Sequence, residues 1–223
     1  MSLTNHPRDD QHLASIQAMR AVAALMIVVG HALAFFALEL PGWLGGGLIH
    51  TFAYAGVDIF FVISGIVVCG AASRATQLAV GQSRLSACRT FLLKRVFRIY
   101  PVYLFVLALV LIFAAPLKLN LPDLNATKLI ATALLVDKYN PYIPQAWSLV
   151  FELYFYLLLA SVLLLPRRYF YRSLALWLLT SIGLATGLHH YAITVEVLFD
   201  PLVLEFGFGC LIAYLIRVEA IKA

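Results

Sequence analysis

The apolar segment RAVAALMIVVGH begins with Arg20 and ends with His31, and the ten residues between them carry no charge. In an α-helix, residues this far apart differ by about 20° around the axis and by about 16 Å along it, so both share one helical face. An ionisable side chain in an apolar span is costly unless it faces the protein interior or water. Both residues are therefore candidates for function: an imidazole can act as a general base near neutral pH, and a guanidinium can bind an anion.

Three carboxylates lie in other apolar segments: Asp58 in GVDIFFVISG, Glu152 in WSLVFELYFYL and Glu205 in LEFGFG. Counted from the ends of these segments at about 1.5 Å per residue, they and His31 fall at similar depth in the outer half of a membrane. Four ionisable groups from four helices in one layer predict a functional site. A purely structural role stays open for each, and the glycines after Glu205 indicate close helix packing.

A second cationic feature is the sequence KRVFRIYP, which contains Arg95 and Arg98. Their i, i+3 spacing puts both guanidinium groups on one helical face, at the predicted cytoplasmic surface. Guanidinium groups bind phosphates through paired hydrogen bonds, so the pair is a candidate site for an anionic substrate. The alternative is that both arginines only anchor the helix beside lipid head groups, and Arg20 could be such an anchor as well.

Other reactive or aromatic residues carry weaker signals. The cysteines are three in number and have no metal-binding spacing, so we expect neither disulfides nor a metal site. Ser64 and Ser148 do not lie in a recognisable nucleophile turn, which disfavours a covalent acyl-enzyme. Trp147 is a candidate for substrate contact, whereas Tyr154 and Tyr156 are more typical of aromatic anchors at a membrane surface.

The elements that position these residues are transmembrane helices. The chain is 63% hydrophobic and only 12% charged, with a mean hydropathy of +0.92, which is far outside the range of soluble domains. About 20 apolar residues are needed to span a bilayer as a helix. Six segments meet this need: about 17–38, 51–71, 100–115, 147–165, 173–189 and 201–217. The run Leu129 to Val136 is too short, and we expect it to lie in the interface or to re-enter part-way.

The placement of basic residues predicts the topology, because Lys and Arg collect in cytoplasmic loops. The connections 74–98 and 167–172 are rich in arginine, whereas the loops 39–54 and 189–200 contain neither Lys nor Arg. Six spans then place both termini in the cytoplasm. The net charge of +5 is explained by this topology, so no nucleic-acid partner is expected.

The polar segment 1–13 precedes the first span, and no repeat, low-complexity region or linker divides the chain. A secretory signal peptide with a cleavage site at 32–34 is an alternative for the N-terminal region, but a histidine near the end of the apolar part is unusual for a signal. We therefore predict a single membrane-embedded domain over residues 1–223.

Together these stretches resemble the acyltransferase-3 family, membrane proteins that O-acylate sugars of lipopolysaccharide, exopolysaccharide and related glycans. The matching motifs are R-x10-H in MRAVAALMIVVGHA, GVDIFFVISG, the R-x-x-R of KRVFRIYP, W-S-L-x-x-E in AWSLVFELYFYLL, and DPLVLEFGFG. Each is weak alone, but all five occur in the family's order. The resemblance covers about residues 14–217.

The resemblance implies an acyl-CoA donor, usually acetyl-CoA, as co-substrate rather than bound cofactor, and a glycan acceptor at the outer face of the cell inner membrane. It implies that Arg20 and His31 are essential and that Arg95 and Arg98 help hold the donor. The expected mechanism is general-base catalysis by His31 on a sugar hydroxyl, tuned by Asp58 or Glu152. Support or acceptor contacts are expected from the rest of the motifs: Trp147, Ser148 and Glu205.

Family members usually carry further spans after the sixth, so the resemblance points to a short or truncated member. Self-association into a homo-oligomer, which would complete a cavity, is left open. Two rivals remain. One is a proton-coupled transporter, which intramembrane His, Asp and Glu would also suit, although such proteins often show internal repeats. The other is an inactive remnant of an acyltransferase.

Overall fold

The computed structural model describes residues 7–35, 47–78, 83–114, 116–117, 121, 125–136, 138–187, 200 and 202–222. All regular structure in these residues is helical, which confirms the all-α prediction. The α-helices are α1 (Pro7–Phe35), α2 (Gly47–Leu78), α3 (Arg84–Phe113), α4 (Ala126–Ala133), α5 (Trp147–Leu163), α6 (Phe170–Gly187) and α7 (Leu202–Lys222). Two short 3-10 helices, Pro144–Ala146 and Arg167–Tyr169, precede α5 and α6.

Among the residues that the structure describes, four segments are long and apolar enough to cross a membrane: Ala14–Leu33, Thr51–Ala75, Arg84–Phe113 and Pro144–Leu163. They correspond to the first four predicted spans, and α6 and α7 occupy the positions of the fifth and sixth. The chain is a membrane protein. The count of six spans and the cytoplasmic location of both termini stay predictions.

The third predicted span differs most from its predicted bounds. α3 begins at Arg84 rather than near residue 100, and the Ser83 side chain caps it by accepting a hydrogen bond from the Ser86 backbone N–H at 3.2 Å. No glycine or proline occurs between Ser83 and Pro101, so nothing in that segment ends a helix. Pro101 lies inside α3, a position that membrane helices tolerate. The arginines after Ser83 that were assigned to a loop therefore belong to this helix.

The short apolar run after α3 forms α4, which has eight residues and is about 12 Å long, too short to cross a membrane. Asn125 caps it by accepting hydrogen bonds from the N–H groups of Thr127 and Lys128. α3 and α5 on either side of it run antiparallel, since Cys88 meets Ala160 whereas Arg95, seven residues later on α3, meets Tyr156, four residues earlier on α5. A crossing by α4 would make α3 and α5 parallel, so the prediction that this run is too short to cross is supported, whereas its place in the interface stays a prediction.

The chain divides into two compact units. The first unit is Met1–Val67 with Glu205–Ala223, and the second unit is Val68–Leu204. The first unit contains α1, most of α2 and most of α7, and the second contains α3 to α6. The prediction of a single domain over 1–223 is not tested by this division and stays a prediction.

Small residues set the helix packing in the first unit. A Cβ on Gly209 of α7 would lie 2.8 Å from the Gly65 Cα of α2, and the Cys210 thiol donates to the Gly65 carbonyl oxygen at 3.7 Å. Beside this crossing, the rings of Phe61 and Phe206 stack with centroids 4.7 Å apart. The backbones of α2 and α7 therefore touch directly, as they do where glycines meet in membrane helix pairs.

Candidate active site

The register between α1 and α2 is fixed by two close approaches. A Cβ on Gly30 would lie 3.3 Å from the Ala53 Cα, and one on Gly56 would lie 2.9 Å from the Met26 Cβ. α1 and α2 are therefore antiparallel, and a residue of α1 lies at the same height along the pair as the residue of α2 whose number adds with its own to about 82. His31 is then level with residue 51, about seven residues, or about 10 Å, from Asp58. This register does not support the predicted equal depth of His31 and Asp58, which was counted from the ends of the apolar runs, whereas small residues set the register.

Asp58 also points to a different neighbour from the one expected. It precedes Phe61 and Gly65 by three and seven residues, so it lies on the side of α2 that packs against α7. Ala53 and Gly56, which meet α1, lie on the opposite side of α2. Asp58 is half-buried and His31 is exposed. Direct pairing of these two side chains is therefore not supported by the packing of α1 and α2.

Asp58 and Glu205 do share a level. Phe61 meets Phe206, and Gly65 meets Cys210, so α2 and α7 run parallel with a constant offset in number. Glu205 is then about two residues, or about 3 Å, from the level of Asp58. Of the predicted layer, the carboxylate pair in the first unit is thus retained.

Arg20 lies nearer to this carboxylate level than expected. Its guanidinium carbon is 5.5 Å from the centroid of the Phe60 ring, an arrangement typical of a cation–π contact. Because Asp58 is only two residues from Phe60, Arg20 is closer in depth to Asp58 than His31 is. Arg20 also lies six residues inside the candidate span Ala14–Leu33. The structure therefore places it within the apolar part of α1 and in contact with α2.

The second unit contains a buried cluster around Tyr156, which we call the Tyr156 cluster: Phe91, Arg95, Glu152 and Tyr156. The hydroxyl of Tyr156 donates a hydrogen bond to the carboxylate of Glu152, one helical turn away on α5. Both side chains are buried, at 0% and 4% exposure. The guanidinium of Arg95 lies 5.6 Å from the Tyr156 ring centroid and 5.4 Å from that of Phe91. A cation and a carboxylate are thus joined through one tyrosine.

Arg98 lies close to the same cluster. It interacts electrostatically with Arg95 and with Tyr156, although its own side chain is exposed. The pair thus lies near Glu152 and on the same side of α3, as the i, i+3 spacing predicted. The sequence did not indicate that this side packs against α5.

The depth of the arginine pair departs from the prediction. Cys88 on α3 is level with Ala160 on α5, because its thiol donates to that residue's carbonyl oxygen at 3.4 Å. Tyr156, which contacts Arg95, is about 14 Å from the start of α5 and about 10 Å from its end. Arg95 is therefore level with the middle of α5. The predicted position at the helix end, and with it simple surface anchoring, does not describe this residue.

The aromatic residues of α5 were only partly anticipated. Tyr156 is fully buried, so the predicted role as an interfacial anchor is wrong for it. Tyr154 is half-buried, and its hydroxyl accepts a hydrogen bond from the indole N–H of Trp177 at 3.2 Å. Trp147 opens α5 and packs edge-on against Phe151 at 5.9 Å. The tyrosines therefore join α5 to its neighbours, α3 and α6.

Ser148 follows Trp147, and its hydroxyl donates to the Gln145 carbonyl oxygen at 3.5 Å. This local contact lies in the turn that leads into α5. The roles of Trp147 and Ser148 toward an acceptor stay predictions.

A polar network that sequence reasoning missed holds the segment before α5. Asn140 is 4% exposed and donates to the Tyr103 hydroxyl at 2.9 Å, which in turn donates to the Thr132 carbonyl oxygen at 2.7 Å. The Asn140 side-chain carbonyl accepts from the N–H groups of Tyr142 and Ile143 at 3.0 and 2.8 Å. The sequence N-P-Y was a turn signal, but nothing in it named Tyr103 as the partner. This network fixes the start of the helix that carries the Tyr156 cluster.

No group of three or more His, Cys, Asp and Glu side chains suited to a metal ion occurs in the part of the chain that the structure describes. Cys69, Cys88 and Cys210 are buried free thiols.

The comparison with protein families decides the class. The family model described as "Acyltransferase domain" (Acyl_transf_3) matches residues 13–222, nearly the whole chain. This chain belongs to the acyltransferase-3 family. Comparisons with curated proteins and with solved structures gave no significant match. With its apolar helices, the protein is a membrane acyltransferase.

The family's motifs, as they stand in this acyltransferase, divide between the two units. The R-x10-H motif, Asp58 and Glu205 belong to the first unit, and the R-x-x-R and W-S-L-x-x-E motifs belong to the second. Within the second unit, the two motifs meet through Tyr156. Tyr156 itself lies outside the quoted motif letters, one turn after Glu152, and this i, i+4 spacing is the signal that could have identified it.

Proposed function

We propose that this acyltransferase transfers an acyl group, acetyl in the simplest case, from acyl-CoA to a sugar hydroxyl of a cell-surface glycan. The observation that carries this proposal is the family match over residues 13–222 in a chain of apolar helices. The buried ionisable groups support it, because acyl transfer needs a base for the hydroxyl proton and cations for an anionic donor.

His31 is the proposed general base. The sugar oxygen attacks the thioester carbonyl, His31 takes the hydroxyl proton, and the carbon–sulfur bond breaks. The CoA sulfur leaves and receives a proton, so the products are an O-acyl sugar and CoA. Direct tuning of His31 by Asp58 is not favoured by the register of α1 and α2. Asp58 and Glu152 are proposed to act on the reacting groups or their positions instead.

The cationic residues are proposed to serve the donor. Arg95 and Arg98 lie on one side of α3 beside Glu152, and Arg20 lies within α1. Trp147, Ser148 and Glu205 are proposed to support the acceptor. The partners are thus acyl-CoA, a glycan and the lipid bilayer, and the proposed location is the cell inner membrane, with several spans. Self-association into a homo-oligomer is an additional proposal that a size measurement in detergent would test.

The test is transfer by purified protein in lipid vesicles. Acetyl-CoA labelled in the acetyl group is supplied with and without a glycan fraction from the cell envelope, and label in the glycan is counted together with released CoA. We expect acceptor-dependent transfer that His31→Ala reduces at least about 100-fold, the usual loss when a general base is removed. Val28→Ala is the matched control, because Val28 lies on the same helix and is 62% exposed.

Each rival function has its own result in this assay. Acceptor-dependent CoA release that persists in His31→Ala would refute the proposed base. Movement of labelled solute across the vesicle membrane without acyl transfer would instead identify a transporter. Protein that folds and binds acetyl-CoA but never cleaves it to free CoA, with any glycan fraction, would indicate an inactive remnant.

A further inference from the structure

Six exposed arginines gather at one end of the second unit, and we call this surface the arginine end. They come from the end of α2, the start of α3, the 3-10 helix after α5 and the start of α6. The members are Arg74, Arg84, Arg89, Arg167, Arg168 and Arg172. None of them belongs to the residues placed above in the candidate site.

Two measured contacts bring these segments together. The Tyr171 hydroxyl on α6 lies 3.4 Å from the Ser73 hydroxyl oxygen on α2, so the neighbouring Arg172 and Arg74 lie at the same end of the unit. The Cys88 thiol on α3 contacts the last part of α5, which continues directly into Arg167–Tyr169. The segments that carry the six arginines therefore meet at one end of the second unit, although these positions span about a hundred residues of sequence.

The charge of this surface is not balanced by carboxylates from its own segments. No Asp or Glu occurs between residues 59 and 122 or between 153 and 195. All six cations are arginines, whose planar fork binds phosphate in a bidentate manner, whereas membrane topology alone would accept lysine equally well. The chemistry of the arginine end is thus that of a surface for phosphate esters.

The arginine end and the Tyr156 cluster lie at different depths. Tyr156 precedes the end of α5 by seven residues, about 10 Å, and Arg167, Arg168 and Arg172 follow that end, whereas Arg89, next to Cys88, is level with about residue 159 and is the member nearest to the Tyr156 cluster. Acyl-CoA has the same layout, since its phosphates and its thioester are at opposite ends of a long neutral arm. Arg95, level with the middle of α5, suits the thioester end better than the phosphates.

We propose that the arginine end binds phosphate esters, and specifically the nucleotide phosphates of the acyl-CoA donor, while Arg95 and Arg98 meet its acyl end. This assignment rests on the proposed function. Anionic phospholipid head groups offer the same chemistry, and the experiment separates the two sources.

The test is equilibrium binding, which does not require transfer. CoA and adenosine 3′,5′-bisphosphate are titrated into protein in a neutral detergent without added lipid, at several salt concentrations. In the double variant Arg167→Gln/Arg168→Gln, we expect about tenfold weaker binding of both probes and a smaller salt dependence, because two phosphate contacts are lost. Replacing both residues by lysine is expected to restore part of the affinity, since the charge returns without the fork.

The matched control is Lys128→Gln/Lys138→Gln, which removes the same charge from the same unit. Lys128 is on α4, and the carbonyl oxygen of Thr132 on the same helix accepts a hydrogen bond from Tyr103. Tyr103 follows Arg84 by 19 residues along α3. This pair thus lies at the opposite end, and we expect it to leave the affinity for both probes unchanged. Equal weakening by the lysine pair would show only a general effect of net charge and would overturn the proposal.

A parallel arm measures association with phosphatidylcholine nanodiscs that contain or lack phosphatidylglycerol lipids. If the arginine variants lose the preference for phosphatidylglycerol and keep full affinity for CoA, the surface binds lipid and the donor assignment is refuted. If neither binding changes, the arginine end is not a phosphate surface. Wild-type protein that binds CoA through these arginines but never transfers an acyl group would count against the proposed function and leave this inference standing.

Discussion

Replacing Tyr156 by phenylalanine removes one hydroxyl and keeps the ring beside Arg95. The lost hydroxyl is the donor to the Glu152 carboxylate, in a place where Tyr156 is 0% and Glu152 4% exposed. Leaving a buried charged acceptor without its donor costs about 1.5–3 kcal/mol. We therefore expect Tyr156→Phe to lower the free energy of unfolding by that amount.

The assay is reversible unfolding in mixed micelles, followed by tryptophan fluorescence. Tyr154→Phe is the matched control on the same helix, because it removes a neutral hydrogen bond to Trp177 from a half-buried hydroxyl. We expect a loss of about 0.5–1.5 kcal/mol for this control, clearly smaller than for Tyr156→Phe. Glu152→Gln combined with Tyr156→Phe should cost less than the sum of the single changes, because a neutral amide without its donor is less unfavourable than a carboxylate.

Two results would refute this reasoning. The first is an unfolding free energy of Tyr156→Phe within about 0.3 kcal/mol of the wild type, which is the scatter for unconnected sites. The second is strict additivity of the Tyr156 and Glu152 changes, which would mean that the hydroxyl and the carboxylate do not interact. Tyr156→Leu also removes the ring that Arg95 contacts, so we expect it to be less stable than Tyr156→Phe. Equal stability of the two variants would mean that the cation–π contact contributes nothing.

Three further changes test the packing and the proposed base. Gly209→Val should prevent stable folding, because a Cβ at this position would lie 2.8 Å from the Gly65 Cα. Gly183→Ala should unfold like the wild type, because a Cβ there would have no atom within 4 Å. Size-exclusion profiles in detergent measure both effects. Asn140→Ala should lower the free energy of unfolding by about 2–4 kcal/mol, because three hydrogen bonds of a buried side chain are lost, and chemical unfolding measures this. His31→Ala should reduce transfer at least about 100-fold while the melting temperature stays within a few degrees of the wild type, because His31 is exposed. A calorimetric scan in which the melting temperature falls much further would mean that the residue is structural.

The apolar runs predicted the helices well, because a span needs about 20 apolar residues and this need is visible in the sequence. The eight residues of α4 were also predictable, since their flanking charges left too short an apolar run. The ends of the helices were not predictable from the apolar runs. α3 starts at Arg84 because a helix continues through basic residues until a cap or breaker occurs, and Ser83 is that cap.

Depth was the weakest prediction because it was counted from the edges of hydrophobicity. The level of His31 against α2 is set by where Gly30 and Gly56 let the backbones approach, and these contacts shift it by about 10 Å from Asp58. Asp58 and Glu205 kept their common level, since α2 and α7 run parallel and cross at glycines close to both residues. A count from apolar edges therefore holds only where the packing contact is near the residues compared.

Partnership between helices could not be read from spacing at all. Arg95 and Glu152 were each candidates, but no pattern in the sequence linked them, because contact depends on which sides of α3 and α5 face each other.

The aromatic rings that Arg95 contacts affect which of its hydrogen-bond donors are used. The guanidinium of Arg95 lies beside the Tyr156 and Phe91 rings, and the Glu152 carboxylate accepts from the Tyr156 hydroxyl. The buried Nε of Arg95 has no hydrogen-bond partner among the described residues. An unsatisfied buried donor is costly, so an oxygen of the proposed acyl-CoA donor that accepted a hydrogen bond from this Nε would remove that cost.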